Sequence, residues 1–128
     1  MYVTDTHPFV YHLQQKYSKL GNRTRRLFRD AEEGQTLIYV PSVVLWEIGR
    51  PNGPLEPSER FDHWCRSLDS APGYTIEPLD WQDVYEARNL PFRGPMDCLI
   101  AGTAIRLGMP LITKDVAITD SGLVQTVW

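Results

Sequence analysis

Short apolar runs alternate with segments in which apolar residues recur every three or four positions along the 128-residue chain. The short runs are typical of buried strands, and the periodic segments are typical of helices that bury one face. The predicted strands are Tyr2–Asp5, Thr36–Val40, Tyr74–Leu79, Leu111–Thr113 and Leu123–Trp128. Because strands separated by helices form parallel sheets covered on both faces, the pattern predicts one α/β domain over residues 1–128, with roughly five strands.

Helix boundaries follow from capping residues. Phe9, Val10, Leu13 and Tyr17 mark one side of the first predicted helix. The later helices are predicted at Asn22–Glu33, Ser42–Ile48, Glu59–Leu68, Trp81–Arg88 and Pro95–Leu107, with one turn at Val116–Thr119. Ser42 and Asp80 are expected to act as N-caps, and glycines to end the second and sixth helices. The prolines and glycine of Arg50–Ser58 predict a loop.

Composition excludes several classes of protein. No segment approaches the roughly 20 apolar residues that span a bilayer, and the chain begins directly with a strand-like run, so we expect a cytoplasmic protein without a secretory leader. Cys65 and Cys98 are the two cysteines, and the apolar neighbours of Cys65 favour a free thiol over a disulfide. The net charge of −3 argues against a protein whose main role is to hold a nucleic-acid backbone.

Six basic residues and no acidic residue occur between Lys16 and Arg29. One interpretation is a solvated helix with ion pairs Arg26–Asp30 and Arg29–Glu33 at a spacing of four residues. The other is a surface that contacts RNA phosphates or an acidic partner. The sequence leaves both open.

Four acids are predicted to meet at one edge of the sheet. Asp5 and Asp115 follow the first and fourth strands, and ligands of open parallel sheets bind at the carboxyl ends of strands. Helices that return across the sheet begin at this same edge, which places Asp97 there. Glu47 lies about 7.5 Å along its helix from Ser42, a distance that a side chain leaning toward the N-terminus largely covers.

Each acid also has an ordinary explanation. Asp5 and Asp115 are compatible with helix capping, and Asp97 with a favourable helix dipole. Glu47 is harder to explain in this way, because it lies among Val43, Val44 and other apolar residues, and an unpaired buried carboxylate costs several kcal/mol. Converging carboxylates need a cation, and oxygen ligands suit Mg²⁺ or Mn²⁺.

Four motifs carry a resemblance to a known family. They are Tyr2-Val3-Thr4-Asp5-Thr6-His7, Pro41-Ser42 followed by Glu47, Pro95-Met96-Asp97-Cys98-Leu99-Ile100-Ala101, and Gly108-Met109-Pro110-Leu111-Ile112-Thr113-Lys114-Asp115. In order and spacing the chain resembles the PIN domain, and within it the VapC-type toxins of bacterial toxin–antitoxin pairs. The resemblance covers Tyr2 to Trp128.

The resemblance implies a small α/β fold and a ribonuclease dependent on Mg²⁺ or Mn²⁺, commonly a homodimer and held inactive by a small VapB-like antitoxin. It assigns Asp5, Glu47, Asp97 and Asp115 to the acidic quartet as catalytic and metal-binding residues. Thr113 matches the small polar residue that the family has before the last acid. The predicted substrate-binding residues are Thr113, Lys114, Arg50 and Arg93, although the three basic residues are equally compatible with ordinary surface charges. Relatives often have Asp at the position of Gly94 and Arg at that of Cys98, and the first departure leaves the number of metal ions open.

Three alternatives have different sequence requirements. A phosphorelay receiver needs paired acids after the first strand, and a haloacid-dehalogenase phosphatase needs Asp-x-Asp, whereas Asp5 stands alone and His7 occupies the second position. The third alternative is a PIN-like module that binds a protein or RNA without cutting it. Metal binding discriminates it from a nuclease, because a scaffold has no need of Mn²⁺.

Overall fold

The computed structural model describes residues 1–53 and 60–128. Within them the strands are β1 (Tyr2–Thr4), β2 (Ile38–Pro41), β3 (Tyr74–Glu77), β4 (Leu111–Ile112) and β5 (Thr126–Val127). The helices are α1 (Thr6–Leu13), α2 (Asn22–Glu32), α3 (Ser42–Gly49), α4 (Phe61–Ser70), α5 (Trp81–Ala87), α6 (Pro95–Leu107) and α7 (Val116–Ser121), with a 3₁₀ turn at Tyr17–Lys19.

The five strands form one parallel sheet in the order β3-β2-β1-β4-β5. From β1 the chain moves outward through β2 to β3, then returns past β1 to form β4 and β5 on the other side. Right-handed crossovers that run in opposite directions lie on opposite faces, so helices flank the sheet in three layers. The strand order reverses between β1 and β4, which is the point where such sheets hold ligands. The predicted α/β class is confirmed.

Apolar side chains from the strands and the inner helix faces form the core. Val3, Val40 and Leu111 on three neighbouring strands are fully buried. On the α1 and α2 helices, Phe9 and Phe28 stack with ring centroids 6.3 Å apart. Complete burial of side chains of this size contributes about 1.5–3 kcal/mol each, which fixes the helices against the sheet.

A buried ion cluster joins β3, α5 and α6. Asp83 is fully buried and receives hydrogen bonds from Arg106 Nε and from the backbone N–H of Asp80. The Arg106 guanidinium also donates to Glu77 Oε1 at 2.6 Å. Asp80 is the N-cap of α5, as predicted, and Asp83 completes a capping box with it. Charge on Arg106 is therefore matched by two carboxylates from two different elements.

The predicted elements agree with the structure except near their ends. Strand β2 begins at Ile38 rather than Thr36, and β5 is reduced to Thr126–Val127. The first helix ends at Leu13, so Tyr17 lies in the 3₁₀ turn and is exposed. Residues 54–58 of the predicted loop and Glu59 of the predicted helix lie outside the described residues.

Two local predictions were wrong. Ser42 is the first residue of α3 instead of its N-cap. Its hydroxyl accepts a hydrogen bond from Leu79 N at 3.0 Å, so it binds the segment that follows β3. Among the described residues, neither Arg26–Asp30 nor Arg29–Glu33 forms an ion pair. The side chains of Arg26, Arg29 and Glu33 are exposed, and exposed side chains gain little by giving up rotamer freedom for such pairs.

Both cysteines are free thiols, as predicted, and Cys65 is partly buried. Cys98 faces the carbonyl oxygens of Leu90 and Phe92, with its sulfur 3.3 Å from the latter. Of the helices in the described part of the chain, none combines the length and apolar character needed to cross a membrane.

Candidate functional site

Asp5 lies at the switch point of the sheet, between β1 and α1. Its backbone N–H donates to Ile112 O at 3.0 Å, which continues the pairing with β4. The side chain is 6% exposed; Oδ1 accepts from Thr6 N and Oδ2 from the Thr113 hydroxyl, both at 2.7 Å. Burial raises the pKa of Asp5 above its ordinary value, whereas these two hydrogen bonds lower it. Asp5 is thus held in one orientation.

Asp115 lies beside it, after β4. It is the N-cap of α7, and its Oδ1 accepts from Ile118 N at 3.0 Å. Its own backbone N–H donates to Thr113 Oγ1 at 3.1 Å. The same hydroxyl therefore binds Asp5 and the backbone of Asp115. The capping roles considered for Asp5 and Asp115 both occur, and they leave lone pairs on each carboxylate for a further ligand.

Asp97 occupies the third position of α6, where a carboxylate is favoured by the helix dipole. Gly94, the N-cap, makes room for it, because a Cβ on Gly94 would lie 2.5 Å from Asp97 Oδ2. The half-buried carboxylate has no hydrogen bond or ion pair to another described side chain. Burial, followed by the negative charges of Asp5, Glu47 and Asp115, raises the pKa of Asp97 to about 6.

Glu47 approaches from α3, one and a half turns from the start of the helix. Its Oε1 accepts a hydrogen bond from the Thr6 hydroxyl at 2.5 Å. Thr6 directly follows Asp5, so this bond joins α3 to the first turn of α1. The apolar surroundings of Glu47 predicted that its carboxylate has a partner, and the neutral hydroxyl of Thr6 is one such partner. The charge of Glu47 still raises the pKa of both Asp5 and Asp97.

A cavity of about 230 Å³ opens over these acids. Its lining consists of Asp5, His7, Tyr11, Asp97, Lys114 and Asp115. Three of the four predicted acids therefore share one cavity, and Glu47 lies close enough to act on two of them without lining it. As the side chains stand, no three His, Cys, Asp or Glu residues in 1–53 and 60–128 are grouped closely enough to hold a metal ion.

The donor set nevertheless fits a hard divalent cation. Each of the four acids offers carboxylate oxygens, the ligands that Mg²⁺ and Mn²⁺ prefer. Asp97 is the informative member, since it is half-buried, surrounded by three like charges and without a donor of its own. A cation between these carboxylates relieves that repulsion.

Comparison with known proteins identifies the family. A model of the PIN domain matches residues 2–120. The chain belongs to the PIN domain family. A solved structure of VapBC2 from Rickettsia felis, bound to a DNA fragment from their promoter, is similar to it with a TM-score of 0.71 and 18% sequence identity. That match covers 98% of this chain and 96% of the other, and it shows a shared fold. No curated protein sequence is significantly similar to the chain.

The substrate-binding residues predicted for this PIN domain occupy different environments. Lys114 is exposed and lines the acidic cavity. Thr113 is only 1% exposed, so its place between two acids favours a positioning role over substrate contact. Arg50 and Arg93 are exposed, and neither lines the cavity. Their part in substrate binding stays a prediction.

Sequence reasoning missed Tyr11. It lies one turn after His7 on α1, and both side chains line the cavity of the PIN domain beside the acids. The spacing of four residues, which places two side chains on one helix face, was the available signal. The apolar pattern of the first helix indicates only its core-facing side and gives no role to Tyr11.

Proposed function

We propose that this PIN domain is a VapC-like endoribonuclease that hydrolyses RNA phosphodiester bonds with Mg²⁺ or Mn²⁺. The observation that carries the proposal is the environment of Asp97. A half-buried carboxylate with a pKa raised to about 6 by burial and by three neighbouring acids is unfavourable unless a cation joins it. Family membership supplies the class of reaction.

Asp5, Asp97 and Asp115 would hold the ion directly or through water, with Glu47 completing the site. When bound, such an ion polarises a phosphodiester and lowers the pKa of a water that attacks phosphorus in line. Thr113 keeps Asp5 and the backbone of Asp115 in fixed orientations, and Thr6 does the same for Glu47. Lys114, at the rim, offsets negative charge as the RNA backbone approaches the acids.

The proposal extends to partners. A VapC-like protein in the cytoplasm would form a homodimer and bind a small VapB-like antitoxin that blocks the acidic cavity. The structural similarity to VapBC2 supports this part of the proposal only through the fold. Co-expression with the protein of an adjacent short reading frame tests it, because a true antitoxin would co-purify with this chain and suppress metal-dependent cleavage.

The nuclease is tested with purified protein and two labelled single strands of the same sequence, one RNA and one DNA. We expect cleavage of the RNA with Mg²⁺ or Mn²⁺ and none with excess chelator. Asp97→Asn and Asp5→Asn should abolish cleavage, whereas Asp69→Asn, at an exposed position on α4, should retain it. Undiminished cleavage by the first two variants, or cleavage of DNA alone, would contradict the proposal.

One observation favours a second candidate, a PIN-like module that binds a partner without catalysis. Asp5 and Asp115 both cap helices, and no three acids among the described residues are grouped as ligands. Titration calorimetry with Mn²⁺ separates the two functions. A nuclease should bind Mn²⁺ with an affinity that Asp97→Asn abolishes, and a scaffold should bind little in either form.

A further inference from the structure

One side of the acidic cavity is aromatic. His7 and Tyr11 lie one turn apart on the same face of α1, with ring centroids 6.3 Å apart and planes inclined by 47°. Both side chains line the cavity together with Asp5 and Asp97. Neither ring forms a hydrogen bond with an acid in the described structure, and His7 acts on the acids through charge, lowering the pKa of Asp5 and Asp97.

A cation lies against the Tyr11 ring of this aromatic pair. The ammonium of Lys19, in the 3₁₀ turn, is 5.2 Å from the centroid of the Tyr11 ring. Lys19 is exposed and forms no ion pair with any carboxylate in residues 1–53 or 60–128. Lys114 lines the cavity with Asp5, Asp97 and Asp115, and Lys19 contacts Tyr11 without lining it, so two cations accompany the acids.

Such an arrangement has the features of a single-stranded nucleic-acid subsite. Aromatic rings bind bases by stacking whatever the sequence, and a nearby cation binds the phosphate that follows. A base inside a duplex is already stacked, so only an unpaired nucleotide can reach the ring. The flexible ammonium of Lys19 can exchange its contact with the ring for a phosphate when a base takes its place.

We propose that His7, Tyr11 and Lys19 form a subsite for one unpaired nucleotide of the RNA, next to the phosphodiester at the acids. Tyr11 stacks on the base, His7 borders it, and Lys19 binds the adjoining phosphate. The subsite makes the substrate a single-stranded segment, a loop or an overhang. This inference rests on the proposed ribonuclease function, since it assigns the orientation of RNA at the same cavity.

A control pair of the same chemistry occurs on α5. The Arg88 guanidinium lies 4.6 Å from the centroid of the Tyr85 ring, and both residues are exposed. Tyr85 lines a different cavity together with Arg106. Because Arg106 lies nine residues after Asp97 on α6, that cavity is about 13 Å away along the helix. Tyr85→Ala and Arg88→Ala therefore remove an aromatic ring and a cation without touching the acidic cavity.

The test measures binding of a short fluorescein-labelled single-stranded RNA to protein that carries Asp97→Asn and so leaves the RNA intact. Adding Tyr11→Ala should weaken binding about tenfold, and Tyr11→Phe should restore it. Lys19→Ala should reduce the slope of log affinity against log salt by about 0.7, the value for one lost phosphate contact on a single strand. Tyr85→Ala and Arg88→Ala should leave both quantities unchanged.

A second probe, the same RNA with the bases removed along its length, distinguishes stacking from a folding defect. Base removal should weaken binding to the Asp97→Asn protein more than to the protein that also carries Tyr11→Ala. Equal losses in the two proteins would overturn the subsite. If the wild-type protein cleaves RNA with Mg²⁺ and the Tyr11→Ala change leaves binding intact, the subsite alone fails. If the Asp97→Asn protein binds no RNA, the subsite fails, and absence of metal-dependent cleavage by the wild-type protein decides the ribonuclease proposal separately.

Discussion

The hydroxyl of Thr113 donates a hydrogen bond to Asp5 Oδ2 at 2.7 Å, although 108 positions separate the two residues in the chain. Both side chains are buried at the switch point, Thr113 after β4 and Asp5 after β1. The hydroxyl oxygen of Thr113 also accepts a hydrogen bond from the backbone N–H of Asp115 at 3.1 Å. One neutral hydroxyl therefore sets the position of two of the four acids.

We expect Thr113→Val to destabilise the protein by about 1–3 kcal/mol, because a buried carboxylate and a backbone N–H both lose a partner. Denaturant unfolding near neutral pH measures this change, and Thr113→Ser should retain most of the stability. Thr103→Val is the matched control, since its buried hydroxyl donates only to Leu99 O within the same helix. Equal effects at positions 103 and 113 would contradict the positioning role of Thr113.

The metal-free protein should be more stable in mild acid than at neutral pH. The pKa of Asp97 is about 6 in the folded state against an ordinary 3.8, so the native state holds the proton more tightly than the unfolded chain. Stability therefore falls as pH rises from about 4 to about 6, by about 1 kcal/mol after allowing for solvent screening of a half-buried group. Thermal unfolding of the chelator-treated protein across this range measures it.

Asp97→Asn should flatten that pH dependence and make the metal-free protein more stable at neutral pH. The reason is that it removes the carboxylate repelled by Asp5, Glu47 and Asp115. Asp69→Asn, at an exposed site, should leave the profile unchanged. An Asp97→Asn protein with the wild-type pH profile would show that the repulsion among the acids does not act on Asp97.

Addition of Mn²⁺ should make the wild-type protein more stable than Asp97→Asn, the reverse of the order expected without metal. A ligand that binds only the folded state stabilises it by about 2.7 kcal/mol at a hundred times its Kd. We expect a rise in the unfolding temperature of the wild-type protein and none for Asp97→Asn. A rise of equal size in both proteins would place the Mn²⁺ site away from the acidic cavity.

Gly94→Ala should impair catalysis with little effect on stability. The added Cβ would lie 2.5 Å from Asp97 Oδ2, and the flexible carboxylate can rotate away at small cost. The displaced oxygen is then badly placed for the ion, so RNA cleavage should fall on the order of tenfold. Parallel measurement of the cleavage rate and the unfolding midpoint checks this split, and a large loss of stability would contradict it.

Removing the charge of Arg106 should destabilise the fold without involving the acidic cavity. Arg106→Met leaves the fully buried Asp83 without its cation, which costs about 3 kcal/mol. The double change Arg106→Met with Asp83→Asn should recover part of this loss, since the fully buried carboxylate at position 83 is replaced by a neutral amide while Glu77 stays unpaired. Arg60→Met breaks an exposed ion pair with Asp62 and serves as the control that should leave the unfolding midpoint unchanged.

The sheet and the grouping of acids follow from chain-wide regularities. Strand-like runs separated by helical periods predict the parallel sheet, and the position of Asp5 and Asp115 after two strands places them at one edge. The sequence also predicted that Asp97 lies in the first turn of a helix that begins at that edge. These predictions succeed because they depend on the direction of elements and not on side-chain detail.

Side-chain detail is what the sequence did not predict. The sequence around Ser42 is typical of an N-cap, but in the structure its hydroxyl accepts the N–H of Leu79, which follows β3. The partner of Glu47 is the Thr6 hydroxyl, a contact between two helices that no local pattern contains. The place of Tyr11 in the cavity was not predicted, because the apolar period of a helix indicates only the side that packs against the core. Each of these contacts depends on how separate elements pack.

The strand order also determines when the acidic edge first exists during synthesis. Strand β1 leaves the ribosome first and lies in the middle of the sheet, whereas its neighbour β4 is almost the last to be made. The hydrogen bond that orients the Asp5 side chain therefore forms only after Thr113 has been synthesised. A chain that terminates before β4 contains three of the five strands but no complete acidic edge, so a truncated translation product would lack the metal chemistry proposed for the full chain.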